Sequence, residues 1–98
     1  MEKRIPHYSL EQIKNLIVDR KVRTTKTALF DAHSLGLDFD DMLNVINRLT
    51  RADFYKSMTT YTNHQIWQDV YRPYTEFGSL YVKLTVIDDL LIVSFKEL

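Results

Sequence analysis

The chain has 98 residues, 45% of them hydrophobic and 27% charged, with only 2 Gly and 2 Pro; this is the composition of one folded domain over residues 1–98 and not of a disordered tail. It has no cysteine, and its 3 histidines, His7, His33 and His64, fall at no metal-ligand spacing, which excludes a disulfide framework, a thiolate nucleophile, an iron–sulfur cluster and a Cys-based zinc site, and makes a metalloenzyme improbable. Lys and Arg number 13, as do Asp and Glu, so the net charge is zero and a strong general nucleic-acid binder is not expected, although a local basic site is allowed.

In chain order, the segment Met1–His7 carries no apolar signal region. No apolar run anywhere reaches the roughly 18 residues of a membrane helix. A cytoplasmic protein without a membrane partner is expected. Ser9 is placed to cap a helix, with Gln12 three residues on, and Leu10, Ile13, Leu16 and Ile17 recur at helical spacing. Arg20, Lys21, Arg23 and Lys26 then fall close together, either as a solvated loop between helices or as a phosphate-contacting patch. A second helix begins at Thr24 or Thr25, carries Ala28, Leu29, Ala32 and Leu35 on one stripe, and ends at Gly36. A third begins at Asp38, with Asp40 and Asp41 suited to the positive end of its dipole, Arg48 to the other, and Phe39, Met42, Ile46 and Leu49 on one face.

After Arg51 the period changes from helix to strand. Residues 53–61 alternate, with Phe54, Lys56, Met58 and Thr60 on one side and Tyr55, Ser57, Thr59 and Tyr61 on the other. Residues 66–74 form the next predicted strand, stopped near Pro73. Residues 80–87 and 90–96 are the third and fourth, joined by a hairpin at Asp88-Asp89. Three helices followed by a four-stranded antiparallel sheet make an α+β fold, with helices on one face of the sheet and the other face free. Tyr81, Lys83, Thr85, Ser94 and Lys96 are expected on that free face, joined by Lys56 and Gln68 if the register allows.

Residues 55–81 hold five of the 6 tyrosines and the only tryptophan, interleaved with Lys56, His64, Gln68 and Arg72. Aromatic rings beside cations suit single-stranded RNA, whose bases stack and whose phosphates need charge; in strands the same rings also build cores, and for Trp67 both readings stand. Lys56 is either a solvated strand lysine or a stabiliser of phosphate under attack. Arg72 either protects an edge or grips a phosphate with its fork. Neither His7 nor His64 has an orienting carboxylate in sequence. No P-loop, dinucleotide fingerprint or G-x-S-x-G elbow is present.

Several segments carry a resemblance. Val-Arg-Thr-Thr at 22–25, Leu-Gly-Leu-Asp-Phe-Asp at 35–40, Asp-Phe-Tyr-Lys-Ser-Met-Thr-Thr-Tyr at 53–61, Ile-Trp-Gln-Asp-Val-Tyr-Arg-Pro at 66–73, Lys-Leu-Thr-Val-Ile at 83–87 and Leu-Ile-Val-Ser-Phe-Lys-Glu at 91–97 resemble the MqsR family, toxins of bacterial type II toxin–antitoxin pairs. The resemblance extends along the whole chain; residues 74–79 and Asp88 depart from the family pattern. It implies a RelE-like fold and an mRNA interferase that cleaves single-stranded mRNA, with a preference for GCU, without a metal or other cofactor. It implies an MqsA-like antitoxin with a zinc-binding amino-terminal domain and a helix-turn-helix carboxyl-terminal domain, and contact with operator DNA only through that partner. It places catalysis on Lys56, Gln68, Tyr81 and Lys96, and substrate contacts on Tyr55, Met58 and Arg72. A phenol, with a reference pKa near 10, is a poor base unless a cation lies beside it; Tyr81 is therefore expected to act only with a lysine alongside. A non-catalytic RNA- or protein-binding module of the same fold is the alternative.

Overall fold

The computed structural model describes residues 1–98. Its elements in chain order are β1 (Glu2–Lys3), α1 (Leu10–Val18), β2 (Val22–Thr24), α2 (Lys26–Ser34), α3 (Phe39–Asn47), β3 (Phe54–Thr59), β4 (Trp67–Tyr71), β5 (Tyr74–Thr75), β6 (Gly78–Ile87) and β7 (Asp89–Glu97). No helix is long and apolar enough to cross a membrane.

The helices start where short polar side chains meet free amides. Ser9 Oγ accepts from the Gln12 amide at 3.0 Å and Thr25 Oγ1 from the Ala28 amide at 3.0 Å. The reciprocal capping box forms at Asp38 and Asp41, whose carboxylates accept from each other's backbone N–H at 2.8 and 2.9 Å. Gly36, with φ 85°, ends α2: the Leu37 amide returns to the Ala32 carbonyl at 3.0 Å, and only the left-handed turn at Gly36 allows it.

The sheet is larger than the predicted four strands and is mixed, not purely antiparallel. Its order is β1-β3-β4-β6-β7-β2, with β5 folded back on β6 as a small hairpin. The parallel pair is β2 with β7, where Val22, Arg23 and Thr24 lie beside Leu90, Leu91 and Ile92. The middle of the stretch from Arg20 to Lys26 is thus an edge strand and not a plain loop; Arg23 faces Asp89 at 3.8 Å, while Arg20, Lys21 and Lys26 flank the strand on the surface. The predicted strand 66–74 breaks in two. Pro73 has no amide for the ladder, so β4 stops at Tyr71 and Tyr74 starts a separate strand. The final hairpin is tighter than predicted: Ile87 pairs with Asp89, and Asp88 alone turns the chain at φ 65°.

One face of the sheet packs on the helices. Ile13 of α1, Ala28 and Ala32 of α2, and Met42, Val45 and Ile46 of α3 form one cluster with Tyr71, Leu80, Val82, Leu84, Leu90, Ile92 and Phe95. Two bulges adjust which residues join it. A register shift between Phe54 and Lys56 puts Phe54 against Tyr71 on the core side, ring centroids 5.5 Å apart. Phe54 and Lys56 therefore do not share a face, against the simple alternation. A second shift lies beside Lys83 and Leu84, opposite Val93.

The amino-terminal segment is pinned by Asp69. This carboxylate is fully buried and accepts from the backbone N–H of His7 at 3.0 Å and of Tyr8 at 2.9 Å. Tyr8 in turn donates to the Trp67 carbonyl at 3.1 Å, and the buried Thr85 hydroxyl reaches the same carbonyl at 2.7 Å. Thr85 is thereby used inside the fold and does not belong to the free surface expected for it. Asp69→Ala strands two backbone amides and is expected to lower unfolding free energy by about 3 kcal/mol. Asp69→Asn keeps one acceptor oxygen and is expected to cost less. Equilibrium denaturation reads both; an unmoved midpoint in Asp69→Ala contradicts the pinning role.

Candidate active site

Strand register brings the predicted residues onto the face of the sheet opposite the helices. Paired residues on neighbouring strands share a face, and residues two apart along a strand do too. Glu2 pairs with Met58, and Met58 with Gln68. Lys56 pairs with Val70, Val70 with Lys83, and Lys83 with Ser94. Tyr81 pairs with Lys96. Three rows thus cross one surface, and Arg72 continues it just past the end of β4. Val70 is fully buried yet lies outside the helix-side cluster, so it forms the apolar floor beneath the polar rows.

The surface concentrates positive charge. Lys56 and Lys83 are two strands apart, about 10 Å between backbones at ordinary sheet spacing. Tyr81 has two ammonium groups close to its ring, with Lys96 Nζ 5.3 Å and Lys83 Nζ 5.8 Å from the centroid. The condition set for Tyr81, a cation alongside, is met in the geometry. Burial, then the charges of Lys96 and Lys56, push the Lys83 ammonium below the usual lysine range. The hydrogen bond that Lys56 donates to Glu2 holds its ammonium above that range; burial opposes it, and the charge interactions with Glu2, Tyr55 and Tyr81 add to it.

Tyr55 occupies the bulge at the edge of this surface. It is 38% exposed, and the Arg72 guanidinium lies 4.5 Å from its ring, with Arg4 and Lys56 each at 5.4 Å. A ring ringed by three cations can stack a base while its neighbours meet the flanking phosphates. Met58 is half-buried beside Gln68, an apolar shoulder in the middle of the row.

Other aromatics of the same stretch go elsewhere. Tyr71 is in the core, and burial pushes its phenol up to about 12, so it takes no part in proton transfer near neutrality. Trp67 stacks with His7, centroids 5.4 Å apart and planes 17° from parallel, and Lys3 Nζ lies 4.2 Å from its ring while reaching His7 Nδ1 at 2.8 Å. Trp67 pairs with Thr59, on the parity of Asp69 and not of Gln68, so it is no base platform on the lysine face. Burial first and Lys3 second lower the His7 pKa, which keeps this imidazole neutral in its stack. His64 is exposed in the loop before β4, away from the rows.

The expected set of Lys56, Gln68, Tyr81 and Lys96 therefore shares one face, with Met58 between Glu2 and Gln68 and with Tyr55 and Arg72 along its rim. Two charged groups join it that sequence reasoning left out of the site. Lys83 has the alternation that puts it on the free face, but neither its spacing nor the family resemblance gives it a role. Glu2 sits in a two-residue strand whose pairing with Met58 spans most of the chain, and no local signal reveals it. A concavity of about 710 Å³ lies elsewhere, between α3 and the β5–β6 hairpin, where three carboxylates, Asp41, Asp53 and Glu76, outnumber the single cation Arg48 and make it poorly suited to phosphate.

An open sheet face with three lysines, a phenol and an amide can hold an anionic, extended chain and move a proton on it. Comparison with known proteins agrees with that chemistry. Residues 5–97 match the family model described as "Motility quorum-sensing regulator, toxin of MqsA". The mRNA interferase toxin MqsR of Escherichia coli (strain K12) is 62% identical over 97 residues, an alignment covering 99% of this chain and 99% of that one. The match takes in every lysine, Gln68 and Tyr81 of the face, and the chain belongs to the MqsR toxin family.

Proposed function

We propose that the chain is an mRNA interferase of RelE-like type, the toxin of a type II pair in a bacterial cytoplasm. It cuts single-stranded mRNA, preferring GCU, by metal-independent chemistry on the ribose 2′-OH. The observation that carries this reading is the convergence of Lys56, Lys83, Lys96, Gln68 and Tyr81 on one open sheet face. The sequence preference, and restraint by an MqsA-like antitoxin with a zinc-binding domain and a helix-turn-helix domain, rest on the family. Operator DNA is reached only through that antitoxin.

The reaction asks for one proton to be taken, one given, and a more negative phosphate to be held. Lys56 and Lys96, from opposite sides of the face, stabilise that phosphate. Gln68 donates an amide hydrogen bond to a phosphate oxygen or orients the 2′-OH. Tyr81, close to Lys83 and Lys96, transfers a proton at the leaving oxygen. Tyr55 and Arg72 hold a base and its phosphate at the rim, and Met58 packs against a sugar or base. Charge is supplied by side chains, so no metal ion is needed for it.

The test is incubation of purified protein with ribosome-free RNA containing several GCU sequences, in EDTA. Cuts at GCU that leave 2′,3′-cyclic phosphate and 5′-hydroxyl ends are the expected result. An RNA that stays intact, with ribosomes added as well as without, points to a binding module and contradicts the proposal.

A further inference from the structure

We infer that Glu2 is the general base of this face: its carboxylate takes the 2′-OH proton, steered by Lys56. The inference rests on the ribonuclease reading above and supplies the one role that reading leaves unassigned. Glu2 pairs with Met58, which sets its side chain on the same face as Lys56 and Gln68. Its carboxylate forms an ion pair with Lys56 Nζ while its side chain stays half exposed, so a substrate hydroxyl can reach the remaining oxygen lone pairs.

Elimination points the same way. Lys56, Lys83, Lys96 and Arg72 carry cationic groups, Gln68 and Ser94 carry no basic group, and Tyr81 is already engaged as the proton donor at the leaving oxygen. The register places no second carboxylate on these rows. The groups around Glu2 are Lys56 from β3, Arg4 on its own segment and the amino terminus; all are cationic and all hold the carboxylate below its ordinary range, the Lys56 hydrogen bond most. It is thus ionised, and ready to accept, near neutral pH, where the lysines around it are also charged.

A carboxylate beside a phosphate is repelled unless a cation sits between them. An ammonium has three donors, and Lys56 can give one to Glu2 and another to a phosphate oxygen. In the step itself, the 2′-O–H bond breaks and its proton goes to a Glu2 carboxylate oxygen. The freed electron pair forms the bond from the 2′-oxygen to phosphorus. The bond from phosphorus to the 5′-oxygen breaks, and that oxygen keeps the pair and takes a proton from an acid of the same face. The products are a 2′,3′-cyclic phosphate and a 5′-hydroxyl, and the two side chains reset by proton exchange with water.

The test compares wild type, Glu2→Gln, Glu2→Asp and Glu2→Ala in single-turnover RNA cleavage, and in binding to the same RNA with 2′-deoxy sugars. Glu2→Gln is expected to slow cleavage about 100-fold, the ordinary scale for a positioned base, while binding the deoxy RNA at least as tightly as wild type. Glu2→Asp is expected to recover part of the rate. The wild-type rate is expected not to climb between pH 6 and 8, because the acceptor is already ionised; a phenolate base gives a rise of tenfold per unit. Glu2→Gln cleaving as fast as wild type, or faster because a competitor for Lys56 has gone, overturns the assignment and leaves the ribonuclease reading intact. Wild type that does not cleave overturns both.

Discussion

Lys56→Ala is expected to lower single-turnover RNA cleavage by about 10²–10³-fold, the scale seen when one preorganised donor to a developing negative charge is removed. Lys56 stands at the meeting of the rows: its strand neighbour is the buried Val70, its ion-pair partner is Glu2, and its charge reaches Tyr55 and Tyr81. Truncation removes the cation facing the phosphate and also frees Glu2 to repel it. The loss is therefore expected in both binding and the chemical step, with a smaller slope of affinity against salt because one phosphate contact has gone. Stability is expected to change little, since exposed ion pairs contribute modestly to folding. A variant that melts normally and cleaves at the wild-type rate contradicts the place given to Lys56.

Phe95→Ala is expected to bring the protein close to unfolding. Phe95 is fully buried, pairs with Val82 at the middle of β6 and β7, and belongs to the cluster that the helices cover. Removing a buried phenyl group costs about 3–5 kcal/mol, against a total of about 5–15 kcal/mol for a domain. Its neighbours Ser94 and Lys96 point to the other face, so the same strand carries core and site by alternation. Loss of activity in this variant is expected to track loss of folded protein, as read by denaturant titration. A midpoint near that of wild type contradicts the placement of the core.

The parts legible in the sequence are those with local causes. Ser9, Thr25 and Asp38 announce the three helices because a cap needs only amides two or three residues on. The long strands β3, β6 and β7 show themselves by alternation, and with them the shared face of Tyr81, Lys83 and Lys96. Strands β1 and β2 have two and three residues, too few for a period, and their partners are Met58 and Leu90, far along the chain. This is why the sheet reads as four antiparallel strands in sequence and is larger and mixed in the fold.

Bulges are equally silent. Phe54 and Lys56 have the same parity, yet one is in the core and the other on the open face, and only the pairing with Tyr71 and Val70 shows it. Asp69 reads as an ordinary polar strand residue until its buried carboxylate is found holding His7 and Tyr8. The site divides along the same line. Lys56, Gln68, Tyr81 and Lys96 stand in segments that resemble the family and fit the strand periodicity. Glu2 was out of reach because its significance depends on an edge pairing and on a side chain meeting Lys56.

The central claim is that this lysine face drives attack by a ribose 2′-OH. The most direct measurement is cleavage, in EDTA, of one RNA with two GCU sites, one of them carrying a single 2′-deoxy sugar at the scissile position. The account predicts a cut at the unmodified site at its usual rate and none at the deoxy site. Equal cutting at both sites contradicts it, because the nucleophile is then not the 2′-OH.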